Sequence, residues 1–247
     1  MRDGEFNAPR LVRVYDLLNP WGKSDQFFLE VAHETPASSV LDLGCGTGQI
    51  ALELVRSGHA VTGLEPALAS LEVARQKPGA EQVTWIHGRA AEAPSGAFDM
   101  ALMTNHVAQF LTGDDEWRDA LRHLRRALKV GGRLVFDSRD PAARGWERWN
   151  PTDTRREVTL PDGETLLTWT EVTGLEGEHV TFVQHYAFSS SAQELLSRST
   201  LHFRPEQTLR DTLTEAGFEV EHLYGGWQRE PVGQGDGEFI VIARSRA

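Results

Sequence analysis

The stretch Ser39-Val40-Leu41-Asp42-Leu43-Gly44-Cys45-Gly46-Thr47-Gly48-Gln49-Ile50 decides the fold. Ser39 to Leu43 is a short apolar run containing the β-branched Val40, and three glycines at alternate positions follow it at once. Ile50, Ala51, Leu54 and Val55 then recur at helical spacing up to Gly58. The pattern predicts a strand, a tight glycine turn and a helix. Backbone in such a turn passes close to a ligand where a Cβ would obstruct it.

The same alternation continues outward. His59 to Glu65 repeats the strand signal, Pro66 to Gln76 reads as a helix, and Gln82 to His87 and Phe98 to Met103 read as further strands. Asp114 is expected to cap a helix whose Trp117, Leu121, Leu124 and Leu128 share a face and which Gly131-Gly132 stops, with Arg133 to Asp137 as the fifth strand. Apolar strands alternating with helices predict an α/β fold, a doubly wound and mostly parallel Rossmann-like sheet covered on both faces. Upstream, Pro9 to Leu18 and a Ser24-capped segment carrying Phe27, Phe28, Val31 and Ala32 predict two helices, expected to form a lid over residues 1–36.

After the fifth strand the pattern changes. Arg155 to Leu160, Glu164 to Thr173, Glu178 to Phe188 and Glu194 to Phe203 follow one another without a helix, and Pro161-Asp162-Gly163 supplies hairpin chemistry. An antiparallel sheet inserted over residues 138–204 is expected to cap a single domain of 1–247. A helix opening near Pro205 and strands at Phe218 to Leu223 and Phe239 to Ala243 resume the α/β pattern.

Composition bounds the function. Of 247 residues 40% are hydrophobic, the balance of a chain that buries a core. Lys and Arg number 25 against 36 Asp and Glu, giving a formal charge of −11 that repels phosphate backbones and anionic lipid. No nucleic-acid partner and no membrane association are expected. Cys45 is the single cysteine, so no intrachain disulfide forms, and no apolar stretch marks a signal peptide or a span. The cytoplasm is the expected location. Nine histidines include neither HExxH nor a Cys/His cluster, so no metal is expected.

Glu65 ends the second strand 21 residues after Gly44, placed to accept from the two hydroxyls of an adenosine ribose. The glycines are spaced G-x-G-x-G and not the G-x-G-x-x-G of dinucleotide oxidoreductases, since Gln49 stands where that fingerprint needs its last glycine. The run from Val40 to Gly48, with Glu65, Gly88 to Ala91, Phe98 to Met103 and Leu128 to Val135, resembles the class I S-adenosylmethionine-dependent methyltransferases. An inserted sheet after the fifth strand is similar in architecture to small-molecule N-methyltransferases.

The resemblance implies a seven-stranded sheet, S-adenosyl-L-methionine as cofactor and a small-molecule methyl acceptor at nitrogen or oxygen. It implies that Gly44, Cys45, Gly46 and Gly48 pass under the methionine and ribose, that Glu65 holds the ribose, and that Pro66 and Ala67 border adenine. Arg89 stands where relatives often carry an acidic residue; a guanidinium cannot accept from adenine, so recognition there falls to the backbone of Ala90 or to stacking. Asn105 and His106 follow the fourth strand at the carboxyl edge of the sheet, between methionine and acceptor. His106 is the expected catalytic base for a hydroxyl acceptor, with His202 behind it; an amine needs only to arrive neutral. Tyr15 and Trp21 are expected to cover the cofactor. Arg198, Trp146, Trp149 and Trp169 in the insertion either face the acceptor or belong to the cap itself. A macromolecular methyltransferase, an oxidoreductase and a non-catalytic S-adenosylmethionine-binding protein are the rival readings, and the chain is read as a monomer or homodimer.

Overall fold

The computed structural model describes residues 4–246. Residues 1–3 of the expected lid and residue 247 lie outside the described residues. In chain order the elements are α1 (Gly4–Asn7), α2 (Pro9–Leu18), α3 (Lys23–His33), β1 (Ser39–Leu43), α4 (Gln49–Arg56), β2 (Ala60–Glu65), α5 (Leu68–Arg75), β3 (Thr84–His87), β4 (Phe98–Met103), α6 (Val107–Phe110), α7 (Asp114–Ala127) and β5 (Leu128–Arg139). There follow α8 (Pro151–Thr154), β6 (Arg156–Thr159), β7 (Thr165–Glu176), β8 (His179–Phe188), β9 (Leu195–His202), α9 (Glu206–Glu215), β10 (Phe218–Tyr224) and β11 (Glu238–Ser245).

Among the described residues the strands form a seven-stranded sheet, ordered β10-β11-β5-β4-β1-β2-β3, and a four-stranded sheet, β6-β7-β8-β9. In the large sheet β1 to β5 run parallel, while β11 lies antiparallel between β5 and β10. The order reverses at β1, and β1 and β4 leave the sheet side by side at their carboxyl ends. That is the crevice where open α/β sheets bind ligands.

Both faces of this sheet are buried, which is why its strands read as continuous apolar runs. Leu41, Leu43 and Phe136 face Trp117, Leu121 and Leu124 of α7 on one side. Val40, Leu102 and Val135 face Phe28 of α3 and Ile50 and Leu54 of α4 on the other. Helix α7 carries acidic Asp114, Asp115 and Glu116 in its first turn and Arg125 and Arg126 in its last, matching its dipole.

Three local expectations are corrected. Helix α7 stops at Ala127 and not at the glycine pair: Leu128 is already extended and pairs with Phe98, so Gly131 and Gly132 lie inside β5. Gly113, not Asp114, is the N-cap of α7. Helix α3 begins one residue before Ser24, and its start is fixed by Asp25 Oδ2 accepting the Gly22 N–H at 2.8 Å.

The small sheet does not stand apart. Its Leu166, Tyr186 and Phe188 pack against Leu11, Val14 and Leu18 of α2. Its Phe182, Leu201 and Phe203 pack with Phe110 of α6 and with Trp146 and Trp149. Helices α1 and α2 thus bridge the inserted sheet and α5 of the large layer, while α3 packs on α4.

Candidate functional site

A cavity of about 810 Å³ opens at the carboxyl edge of the large sheet. Its floor is the glycine turn. Gly44, Gly46 and Gly48 have φ of +75°, +53° and +79°, the left-handed region that side chains avoid. Each glycine also answers a different steric demand. A Cβ at Gly44 would lie 2.6 Å from Val107 Cγ2 and one at Gly48 2.6 Å from Trp85, whereas at Gly46 nothing stands within 4 Å. Gly46 therefore presents open backbone to the cavity, together with Gly44 and Cys45, while Gly48 packs behind the turn and does not line the cavity.

Glu65 ends β2 beside this turn. Its Oε2 accepts the Gly46 N–H at 2.9 Å and its Oε1 the Ala67 N–H at 2.8 Å, so the carboxylate is held by backbone on both sides. Each oxygen keeps a second lone pair for a ligand hydroxyl. Burial raises its pKa against the lowering effect of those two bonds. Asp42, deeper under the turn, is fully buried, and its Oδ1 has no hydrogen-bond partner among the described residues. Burial, aided by the charge of Glu65, pushes Asp42 up to about 7. An unpartnered buried acceptor on a cavity wall calls for a donor or cation from the ligand. Burial also pushes the Cys45 thiol well up, which makes it an inert lining group.

The N-terminal helices cover the cavity. Tyr15, Phe6 and Asn7 line it, and the Phe6 ring sits 5.7 Å from Tyr15 and 5.4 Å from Phe110 of α6. Burial drives the Tyr15 phenol far above its ordinary range, so it stays protonated and acts as a donor. Asp16 fastens this cover to the glycine turn: it accepts from Thr47 Oγ1 and from Gln49 Nε2, the latter at 2.9 Å, and pairs with Lys77 after α5. Trp21, expected beside Tyr15, is 40% exposed and does not line the cavity, because it lies in the loop beyond α2.

The wall beside the glycine turn is the segment 104–111. Thr104, Asn105, Val107, Phe110 and Leu111 line the cavity. Asn105 and His106 take φ of +57° and +64°, and this double left-handed turn points the His106 ring away from the cavity. Its Nε2 lies 3.1 Å from Glu238 Oε2 and 3.2 Å from Asp137 Oδ2. Burial and the Arg139 guanidinium push His106 down to about 4, against the pull of Asp137, while burial lifts Glu238 to about 7 and raises Asp137. The imidazole expected as base is thus neutral and already hydrogen-bonded behind the wall. His106, Asp137 and Glu238 do bring three metal-ligating atoms within 4.8 Å of one another. The cluster is closed by its own hydrogen bonds, and Arg139 supplies its positive charge.

Pro66, Ala67, Arg89 and Ala90 line the opposite part of the cavity, where Arg89 Nη1 pairs with Glu116 of α7 at 2.9 Å. The cap residues weighed from sequence lie elsewhere. Trp146 and Trp149 pack on Phe203, Trp169 stacks on His185, Arg198 is exposed, and His202 is bonded to Thr112 O and Glu178. Sequence reasoning passed over Phe6, Asn7, Asp25, Thr47, Gln49 and Phe110 as lining residues. Only the position of Thr47 and Gln49 inside the glycine motif offered a signal for any of them.

A family model described as "Methyltransferase domain" matches residues 40–132, the span from β1 into β5 that carries the turn, Glu65 and the wall. Over that span the chain is similar to the class I S-adenosylmethionine-dependent methyltransferases. It is 28% identical over 214 residues to the cypemycin N-terminal methyltransferase of a Streptomyces species, covering 83% of this chain and 82% of that one. Its fold is similar to that of the CcbJ methyltransferase from Streptomyces caelestis, with a TM-score of 0.76 and 21% identity over 100% of this chain and 99% of the other. It is likewise similar to CalS10, an amino pentose methyltransferase from Micromonospora echinaspora solved with S-adenosylmethionine, with a TM-score of 0.68, 23% identity and coverage of 94% and 96%. The protein is a methyltransferase that uses S-adenosylmethionine. The residues present fit that group: the bare backbone at Gly46 gives it room, Glu65 has lone pairs to spare, and the orphan Oδ1 of Asp42 has need of a donor.

Proposed function

We propose that this methyltransferase acts on a neutral amine nitrogen of a small molecule. When bound, S-adenosylmethionine supplies an electrophilic methyl group on a positively charged sulfur. We assign Gly44, Cys45 and Gly46 to its methionine and ribose, Glu65 to the ribose hydroxyls, Asp42 to a cationic or N–H group of the methionine, and Pro66, Arg89 and Ala90 to adenine. Thr104 and Asn105 border the transfer axis. Tyr15, Phe6 and Phe110 exclude water above it, and alignment with water exclusion is the main lever for an in-line displacement, on the order of 7–11 kcal/mol.

One observation carries the choice of nitrogen over oxygen: the imidazole of His106 is engaged by Glu238 and Asp137 behind the wall. A hydroxyl acceptor needs a base at the moment of attack. An amine attacks with its own lone pair and releases its proton afterwards. Asp25 and Asp119, the cavity carboxylates not assigned to the cofactor or paired with Arg89, favour an amine drawn in as its ammonium form, which gives up its proton to solvent before the neutral nitrogen attacks. The names of two relatives, one for an N-terminal and one for an amino pentose substrate, support the same reading. The covered cavity and the charge of −11 favour a small molecule over RNA, and a reducing cytoplasm suits the one cysteine.

The test is transfer of isotope-labelled methyl to matched pairs of acceptors that differ only in bearing an amine or a hydroxyl, with the product methyl located by mass fragmentation. Label on nitrogen in the amine member alone supports the proposal. Equal or preferred transfer to the hydroxyl member refutes it.

A further inference from the structure

The wall segment 104–111 is braced from behind by charged side chains. Helix α6 has only four residues, preceded by two in the left-handed region, so its terminal N–H and C=O groups need partners from outside the helix. Outside the helix itself the segment bonds internally through Val107 N–H to Thr104 O at 3.4 Å and Gln109 N–H to His106 O at 2.9 Å. Charged side chains supply the rest from behind. The His106 N–H donates to Asp137 at 3.1 Å, and the ring reaches Glu238. Arg139 Nη1 donates to Gln109 Oε1 at 2.9 Å, and Arg204 donates to Ala108 O at 3.2 Å and Leu111 O at 2.6 Å. None of these four charged residues lines the cavity, and Asp137 and Arg204 are fully buried.

Buried charges are a poor way to gain stability, since apolar residues of the same size commonly do as well. Their use here, on one segment that walls the site, marks a requirement for position. We infer that Asp137, Glu238, Arg139 and Arg204 are positioning residues for methyl transfer, which fix the wall 104–111 and with it Asn105 against the glycine turn. The inference rests on the transfer reading above only for its kinetic arm. Glu238 is the most instructive member, because it bonds the His106 ring and enters from β11, 132 residues away in sequence.

The experiment compares wild type, Glu238→Ala and Glu238→Gln by hydrogen exchange at the amides of 104–111, by kcat and KM, and by calorimetric Kd for S-adenosylhomocysteine. In Glu238→Ala, exchange in the wall and loss of kcat should each change about ten-fold or more, with Kd held within about three-fold. Glu238→Gln, which still offers an oxygen to Nε2, should restore most of both. The Asn105→Ala double-mutant cycle should be non-additive in kcat. Unchanged exchange in the wall, equal losses in the Ala and Gln variants, a Kd that weakens in step with kcat, or additivity would each overturn the inference. If Glu238→Ala does not fold, Arg139→Lys carries the same test, since it keeps the charge and removes the Nη1 donor that bonds Gln109 Oε1. If the wild type methylates no amine, the function reading fails while the exchange measurement still decides the wall.

Discussion

Val107 rests directly on the first glycine of the turn: a Cβ built at Gly44 would come within 2.6 Å of its Cγ2. Floor and wall of the cavity are therefore a single packed unit at that point, and two neighbouring glycines should respond differently to the same substitution. Gly44→Ala meets both a left-handed φ and a packed side chain, so it should lower stability by about 2–3 kcal/mol. Gly46→Ala meets only the backbone cost, about 1–2 kcal/mol, yet places a methyl in the proposed cofactor site. Thermal melts should rank Gly44→Ala below Gly46→Ala, while calorimetry should show both losing S-adenosylhomocysteine.

Asp42 makes stability and cofactor binding respond oppositely to pH. Its carboxyl is raised from 3.8 to about 7 in the folded chain, so the folded state binds the proton more tightly than the unfolded one. That contribution is complete below about pH 4 and is lost as pH rises through 7. The ligand-free protein should melt lower at pH 8 than at pH 6, by about 5 °C, and Asp42→Asn should remove most of the difference. A cationic ligand beside the carboxylate restores its charge, so S-adenosylmethionine binding should release protons near pH 7. Buffers of different ionisation heat read that release directly in calorimetry.

Asp16 ties the N-terminal cover to the glycine motif through Thr47, Gln49 and Lys77. Replacing it by Ala should leave the two sheets intact but loosen α2. Proteolysis within 4–36 should accelerate, and cofactor affinity should fall about five-fold, as expected for the loss of one charge-assisted hydrogen bond at a partly exposed site.

His106 separates a base from a support. Asn tolerates the left-handed region, so His106→Asn keeps the turn while deleting the imidazole. If the ring serves only to hold the wall, kcat falls but the pH profile of kcat/KM between 6 and 9 keeps its shape, set by deprotonation of the acceptor amine. Loss of a profile limb in the variant would reinstate His106 as the base.

The large sheet was legible because its apolar runs are strong, as in Ser39–Leu43, which Gly44 closes, and Phe98–Met103. The boundary at Gly131-Gly132 misled because glycine usually ends a helix, yet here the pair lies within a strand whose pairing to β4 begins at Leu128. Glu65 and the glycines announced a nucleotide-like site through local spacing. Phe6, Asn7, Asp25 and Phe110 did not, since they reach the cavity from distant elements by tertiary packing. The orientation of His106 was hidden for a related reason. Its ring is captured by Glu238 from β11, and no local pattern predicts that a non-glycine pair at 105–106 will turn left-handed.

The most direct measurement is calorimetric titration of wild type and Glu65→Ala with S-adenosylhomocysteine and with NAD. The account predicts saturable binding of the adenosyl ligand by wild type, loss of at least about ten-fold affinity in Glu65→Ala through the ribose hydrogen bonds proposed for it, and no heat with NAD. Undiminished binding by Glu65→Ala, or a site that takes NAD, would contradict the placement of the cofactor on the glycine turn and with it the account of the cavity.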